Sequence, residues 1–558
     1  MSQDALFELL ARSSVLVPWV PVLVLVPPLL LAALLIAPRG SARVAAVAPL
    51  AALPALLAAL AAPATEIVLP GLLLGSSLTI DPISRPFLAV FALLWLAAGW
   101  LAGEQLQARG RMLLFLLAMT GTFALAIAGD LVVFLLASTV VGYAVYGLAA
   151  GQRGAGALIS LLVLSDLLLF ELLLLLVKDG AGLSLTGDVP SGAIAGSAAL
   201  LALMVVGFGA KAALLGFHYW LPAILSAPAK YLGPILIGFV LGAGLFPWLR
   251  LLPPMSPTGI AVPEAVAWTI VAAIGVAALL GLLQRDRHAS IGYALSVLTA
   301  FWLLLLTGPV PAAAVQTPGA AAAVAMCQSA LAAATLLTLP ARYSRRWKAL
   351  IWAGNGFAVL LLVDAVLALG AIFGLGQRPA IDLTACAFVG LALGRLLWHP
   401  FFAVALSRGR LISAVPEPAA SPLVVLFLAA ATALWAATET GTMSLAVEPM
   451  AAAALLSATA VSLLVMPTLS HLPRLPPDDI AAPVGGWLGA LWSVSRSGLE
   501  RHLTRRRDVL QAGVTGFWPE RTLRRINRSG ENQLRRWAVA MILLVSLILL
   551  IGAFGCCA

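Results

Sequence analysis

Apolar runs of about twenty residues recur along nearly the whole chain, and the short stretches between them hold most of the charge. The runs fall near 15–37, 44–63, 83–103, 112–129, 131–150, 155–177, 195–217, 231–252, 262–283, 289–308, 318–340, 349–376, 381–406, 421–438, 449–468 and 537–555. A hydrocarbon core about 30 Å thick takes roughly 20 apolar residues per helix. Backbone groups in lipid must bond within their own segment, so each run reads as a helix. The pattern predicts an all-α polytopic membrane protein of sixteen spans.

The connecting loops fix the orientation. Arg39 and Arg43, Arg109 and Arg111, Arg153, Arg285 and Arg287, Arg342 through Lys348, and Arg408 and Arg410 follow odd-numbered spans. Glu66 and Asp81, Asp130, Asp179 and Asp188, Glu264, Asp382, Glu439 and Glu448 follow even-numbered ones. The positive-inside rule puts the basic loops in the cytoplasm and both termini outside, as in a bacterial-type inner membrane. One missed span would scramble this alternation. The longest cytoplasmic loop, about 469–536, opens on a proline-rich turn. In it Trp487, Leu491, Val494, Leu499, Leu503 and Leu510 recur at helical spacing, with Arg496, Arg501, Arg505, Arg506 and Arg507 mostly between them. That is the pattern of a basic amphipathic helix lying in the interface.

Composition agrees. The chain has 558 residues, 62% hydrophobic and 10% charged, which excludes a soluble globular protein, a disordered one and a DNA-binding domain. The net charge of +10 belongs to the cytoplasmic loops and implies no nucleic-acid partner. Cys327, Cys386, Cys556 and Cys557 form no CxxC and no Cys/His cluster, so no metal site is expected. No nucleotide loop, flavin fingerprint or haem ligand pattern is legible, so no cofactor and no catalytic centre are expected on this chain. No cleavable signal peptide is evident at the start, where Asp4, Glu8 and Arg12 precede the first run.

Charges inside a bilayer are costly, roughly 3 kcal/mol each on insertion scales, so each is a functional candidate. They are Asp166 and Glu171 in span 6, Lys211 in span 7, Asp364 in span 12, and Arg395 with His399 in span 13. Lys211 stands out, set among small residues in GFGAKAALLGFHYWLP. Desolvation disfavours a charged lysine and a nearby carboxylate restores it, so a lysine with a movable acidic partner can transfer protons. The competing reading is a buried Lys–Asp pair that merely holds spans 6 and 7 together. Pro222, Pro228 and Pro234, around Lys230, predict a broken helix after span 7. Asp364 reads either as functional or as bonded to Asn355, and Arg395 and His399 either as functional or as snorkelling to the interface.

Four passages carry a family resemblance. They are LTIDPISRPFLAVF (78–91), AGDLVVFLLASTVVGYAVYGL (128–148), GAKAALLGFHYWLPAILSAP (209–228) and LLQRDRHASIGYALS (282–296). They resemble, in order, the Asp-x-x-Ser approach to helix 3, the Asn/Asp-Leu-x-x-Phe approach to helix 5, the helix 7 Lys with its His-x-Trp-Leu-Pro turn, and the loop into helix 10 of one family. That family is the antiporter-like membrane subunits of respiratory complex I, membrane hydrogenases, Mrp-type cation/proton antiporters and DAB inorganic-carbon accumulation complexes. The resemblance spans about 80–400, and the overall layout is similar to the largest antiporter-like subunit of complex I. Asp166 in LVLSDLLLF matches the helix 6 Asp of that branch.

The resemblance implies two inverted five-helix repeats, each with one broken helix, in spans 7 and 12. It divides the chain into N-terminal spans (1–110), a first repeat (111–252), a second repeat (253–407), spans 14 and 15 (408–468), the basic segment (469–536) and an anchoring helix (537–558). The resemblance implies an ion pathway through Lys211, with Asp166, His218, Lys230 and Thr139 at matching motif positions, and the intramembrane charges Glu171, Asp364, Arg395 and His399 are expected to complete or reroute it. The ion is a proton, or alternatively sodium. The implied partners are other membrane or cytoplasmic subunits of one complex, driven either by redox chemistry or by inorganic-carbon accumulation. The chain also departs from the family. The helix 5 Glu falls on Thr139, the helix 11 His and Lys on Cys327 or Gln328 and near Ala332, and the helix 12 Lys near Leu360. The alternative is a degenerate, non-conducting structural subunit.

Overall fold

The computed structural model describes residues 17–35, 41–69, 75–180, 182–185, 194, 197–227, 229–251, 264–284, 286–307, 318–338, 348–373, 378–398 and 454–463. Spans 14 and 16, the segment 469–536 and His399 lie outside the described residues.

Helices follow the apolar runs closely. Span 1 is α1 (Val20–Leu34). Span 2 combines α2 (Ser41–Val47), a 3₁₀ stretch (Ala48–Ala52) and α3 (Leu53–Ala61). Spans 3 to 6 are α4 (Ser84–Ala102), α5 (Arg109–Ala126), α6 (Leu131–Ala149) and α7 (Ala155–Lys178). Span 7 is split into α8 (Ala198–Lys211) and α9 (Trp220–Leu225). Span 8 runs α10 (Leu232–Phe239), a π-helical turn (Val240–Leu245) and α11 (Phe246–Leu251). Spans 9 to 13 are α12 (Glu264–Leu283), α13 (Arg287–Leu306), α14 (Pro318–Thr338), α15 (Lys348–Phe373) and α16 (Pro379–Trp398). Part of span 15 is α17 (Ala454–Leu463). Among the described residues, eleven helices are long and apolar enough to cross a membrane.

The described residues are mostly helical, as expected, and one hairpin departs from the expected helices. Thr65–Leu69 (β1) pairs antiparallel with Ser76–Ile80 (β2). TEIVL and SSLTI are too short to span and are rich in β-branched residues, which favour a hairpin between spans 2 and 3. A second correction concerns span 12. The expected break is absent, because KALIWAGNGFAVLLLVDAVLALGAIF contains no proline and α15 runs unbroken over 26 residues.

Three of the four motif passages prove to be anchors. Asp81 caps the start of α4 by accepting from the Ile83 and Ser84 N–H groups at 3.0 and 2.7 Å. It also accepts from both terminal nitrogens of Arg250, Nη1 and Nη2, at 2.6 and 2.7 Å, which ties α4 to the end of α11. Arg250 is buried and lies over the Phe246 ring, 5.1 Å from its centre. Asp130 caps α6 through the Val133 N–H at 2.8 Å and takes the Ser77 N–H of β2 at 2.6 Å. Asp286 caps α13 through the Ala289 N–H at 3.2 Å. Beside it, Arg287 donates to the Leu336 carbonyl and to Asn355 Oδ1, both at 2.9 Å, and so ties α13 to α14 and α15.

These contacts also sort the loops. The hairpin, the α5–α6 turn and residues 183–185 after α7 bond to one another, and the end of α11 joins them through Arg250. The loops that follow spans 2, 4 and 6 thus share one end of the bundle.

Two predictions follow from these anchors. Arg250→Met leaves the partly exposed Asp81 without its cation and Asp81→Asn leaves the buried Arg250 without its anion, so each should cost roughly 1.5–3 kcal/mol. The double variant should be less affected than either single one, which thermal unfolding in detergent measures. Burial pushes the Asp286 carboxyl up. Hydrogen bonds from His288 and Ser226, the His288 charge and the Ala289 N–H outweigh that and hold it at about 2 instead of 3.8. A depressed carboxylate contributes stability that is full above its ordinary value and lost as pH falls through the folded one. Acid titration of stability should therefore steepen between pH 3.8 and about 2. Asp286→Asn should flatten that limb.

Candidate functional site

Helices α7 and α8 pack side by side. Ser165 Oγ of α7 donates to the Gly207 carbonyl of α8 at 2.7 Å. A Cβ at Gly207 would come 2.6 Å from the Leu169 side chain, so glycine eases the close approach of the two helices here. One turn further on, Lys211 Nζ meets Asp166 Oδ1 at 2.6 Å. Ser138 Oγ, from α6, accepts from the same ammonium at 2.6 Å, and Tyr143, also on α6, hydrogen-bonds to Asp166. Three helices thus converge on one charge. Lys211 is 1% exposed, while its acidic partner is 21% exposed.

Lys211 is also the last residue of α8. Beyond it Ala213 and Gly216 take left-handed backbone, with φ of 55° and 97°. For alanine that conformation costs about 1 kcal/mol and requires support from its surroundings. Trp220 of α9 supplies some, donating its Nε1–H to the Ala210 carbonyl at 3.3 Å. The π-helical turn supplies more: a Cβ on Gly244 would lie 2.7 Å from the Ala212 nitrogen. Glycine there lets span 8 pack directly on the unwound chain beside Lys211. Single π turns inside α-helices occur mostly at functional sites.

The other expected pathway residues scatter. Thr139 bonds its own helix, Oγ1 to the Leu135 carbonyl at 2.9 Å, and the ammonium is met by its neighbour Ser138. His218 is buried in the unwound segment beside Tyr293, with ring centres 5.2 Å apart. Its Nδ1 accepts the Gly216 N–H at 3.4 Å, and Nε2 has no partner among the described residues. Lys230 is half-buried in the loop before α10. Glu171 and Asp364 are exposed on the outer faces of α7 and α15. Asp364 lies nine residues from Asn355, which on a helix is the opposite face, and Asn355 Oδ1 accepts from Arg287 instead. Arg395 does not snorkel: it is buried and donates to the Gln284 carbonyl at 2.8 Å.

In the second half, Cys327, Gln328 and Ala332 are buried in α14, and Leu360 faces outward at 68% exposure. The hydroxyls nearby bond to carbonyls of their own helices, as Ser296, Ser329 and Thr335 do.

The geometry separates two adjacent hydroxyls. Ser138→Ala should destabilise the protein by roughly 1.5–3 kcal/mol, the worth of a hydrogen bond to a buried charge. Thr139→Ala should be close to neutral. Parallel melting curves of the two variants check this.

Residues 122–309 match the family described as NADH:quinone oxidoreductase/Mrp antiporter, transmembrane. No curated protein matches the chain by sequence. Its fold is similar to a chain of the membrane-bound sulfane sulfur reductase, an archaeal respiratory membrane complex, with a TM-score of 0.60 at 16% identity, covering 94% of this chain and 99% of that one. It is also similar to a chain of the Mrp complex from Dietzia sp. DQ12-45-1b, with a TM-score of 0.62 at 18% identity, covering 90% of this chain and 63% of that one. Motifs, family match and fold agree: the chain resembles the antiporter-like membrane subunits typified by complex I and the Mrp antiporters.

Proposed function

We propose that this chain moves an ion, a proton in preference to sodium, as the membrane subunit of a multi-subunit complex. The ion movement is coupled to chemistry in partner subunits. The observation that carries this reading is the Lys211 ammonium, buried in a membrane-spanning bundle and held by Asp166 and Ser138 where the helix ends. A charge in that setting is expensive and marks an ion path by default. Asp166 and Ser138 give the ammonium a resting place, and the unwound segment 212–219 follows directly after it. A lysine can give up its proton, whereas a sodium ion is repelled by an ammonium and needs a cage of oxygens. Both features favour protons.

The multi-subunit setting is supported by the complexes to which the fold is similar. The driving reaction is redox chemistry or inorganic-carbon accumulation in another subunit, and no residue of this chain favours one over the other.

A second reading rests on the departures in the second half. Cys327, Gln328 and Ala332 leave the interior of α14 without a strong acid or base. A scaffold that no longer conducts fits that pattern. Reconstituting the whole complex in proteoliposomes separates the two. Lys211→Met should abolish driven proton uptake, and Asp166→Asn should reduce it at least tenfold, with assembly unchanged. Wild-type uptake by both variants, with the complex intact, supports the scaffold.

A further inference from the structure

The outer face of α7 is unlike an ordinary lipid-facing surface. Only a third of its most apolar stretch is buried. The exposed positions Gly156, Ser160, Val163, Leu167, Glu171 and Leu174 recur at spacings of three and four and form one continuous stripe. Such a seam suits close packing with a second helix. At one end are Gly156, with open space where a Cβ would stand, and Ser160 four residues on, the small-xxx-small spacing that lets helix backbones approach in a membrane. Toward the other end the stripe carries Glu171. It lies seven residues before Lys178, the last residue of α7, hence roughly 10 Å along the axis from that end. An exposed carboxylate at that depth cannot be solvated by hydrocarbon.

Asp166, the partly exposed member of the Lys211 pair, lies on the same helix one residue before Leu167.

We propose that this stripe is a docking surface for one transmembrane helix of a different subunit, and that this helix carries a Lys or Arg facing Glu171. The inference rests on the chain being part of a complex, and it names the surface and chemistry of the contact. A second copy of this chain is disfavoured by charge. A two-fold axis along the membrane normal would set one Glu171 against another at equal depth, which is repulsive. A helix of different sequence bearing a cation neutralises the carboxylate and fills the groove over Gly156 and Ser160.

The test places a photoreactive benzoylphenylalanine at Leu167, and separately at Leu174, in native membranes holding the whole complex. The expected result is a crosslink from both positions to one transmembrane segment of another subunit that contains a Lys or Arg. Glu171→Lys should lower recovery of that subunit with the purified complex about tenfold, and reversing the partner cation to Glu should restore it. Three outcomes overturn the proposal. They are crosslinks to lipid alone, crosslinks to this same polypeptide (a second copy or its residues 464–558), and unchanged recovery of the crosslinked subunit in Glu171→Lys. Lys211→Met keeps this failure apart from failure of the transport reading: it should stop proton uptake while leaving both crosslinks in place.

Discussion

A single ammonium group, removed from water inside the membrane, organises the first half of this protein. It is tolerated only because a carboxylate and a hydroxyl from two other helices reach it at 2.6 Å. That requirement forces close helix packing. Gly207 allows α7 against α8, and Gly244 allows span 8 against the unwound chain. Ala213 is held in left-handed backbone just beyond the charge. The distant anchors serve the same end. The Asp81–Arg250 pair fixes α4 and α11, and Asp130 fixes α6, the helix that presents Ser138 and Tyr143. A site that must hold a charge in low dielectric needs its supports rigid to within a fraction of an ångström.

The two halves have diverged. The first has a broken helix, a π turn and an ion pair. The second has an unbroken α15 and an arginine bonded to a helix-end carbonyl, Arg395 to Gln284. Among its described residues, Asp364 and the family lysine position at Leu360 face outward. Among the described residues, a route through the second half would run over hydroxyls, Gln328 and water.

Much of this was legible in the sequence. Helix positions followed from run length alone, because lipid permits almost no other structure. The split of span 7 was expected from the prolines that follow it, although the break at 212–219 precedes them, whereas the break expected in span 12 came only from the repeat implied by the resemblance, and no residue there enforces it. The Lys211–Asp166 pair was foreseeable, since span 6 offers few acids to span 7. Ser138 was missed for Thr139 because family alignment fixes a position only to within a residue, and adjacent helical residues point about 100° apart. The outward turn of Glu171 and Asp364 was not legible. In a chain this apolar, hydrophobicity does not distinguish the lipid-facing side from the packed one, as the small amphipathic contrast along α7 and α15 reflects. The hairpin was missed because only its β-branched residues mark it.

The account stands on Lys211 giving up a proton and not merely supplying a charge. Lys211→Arg tests that distinction directly, because arginine can pair with Asp166 and Ser138 but does not deprotonate in a protein. With the whole complex in proteoliposomes, and assembly verified, the account predicts that this variant loses driven proton uptake as completely as a neutral replacement would. Uptake at the wild-type rate would mean that the ammonium is a fixed strut between helices and that protons travel elsewhere.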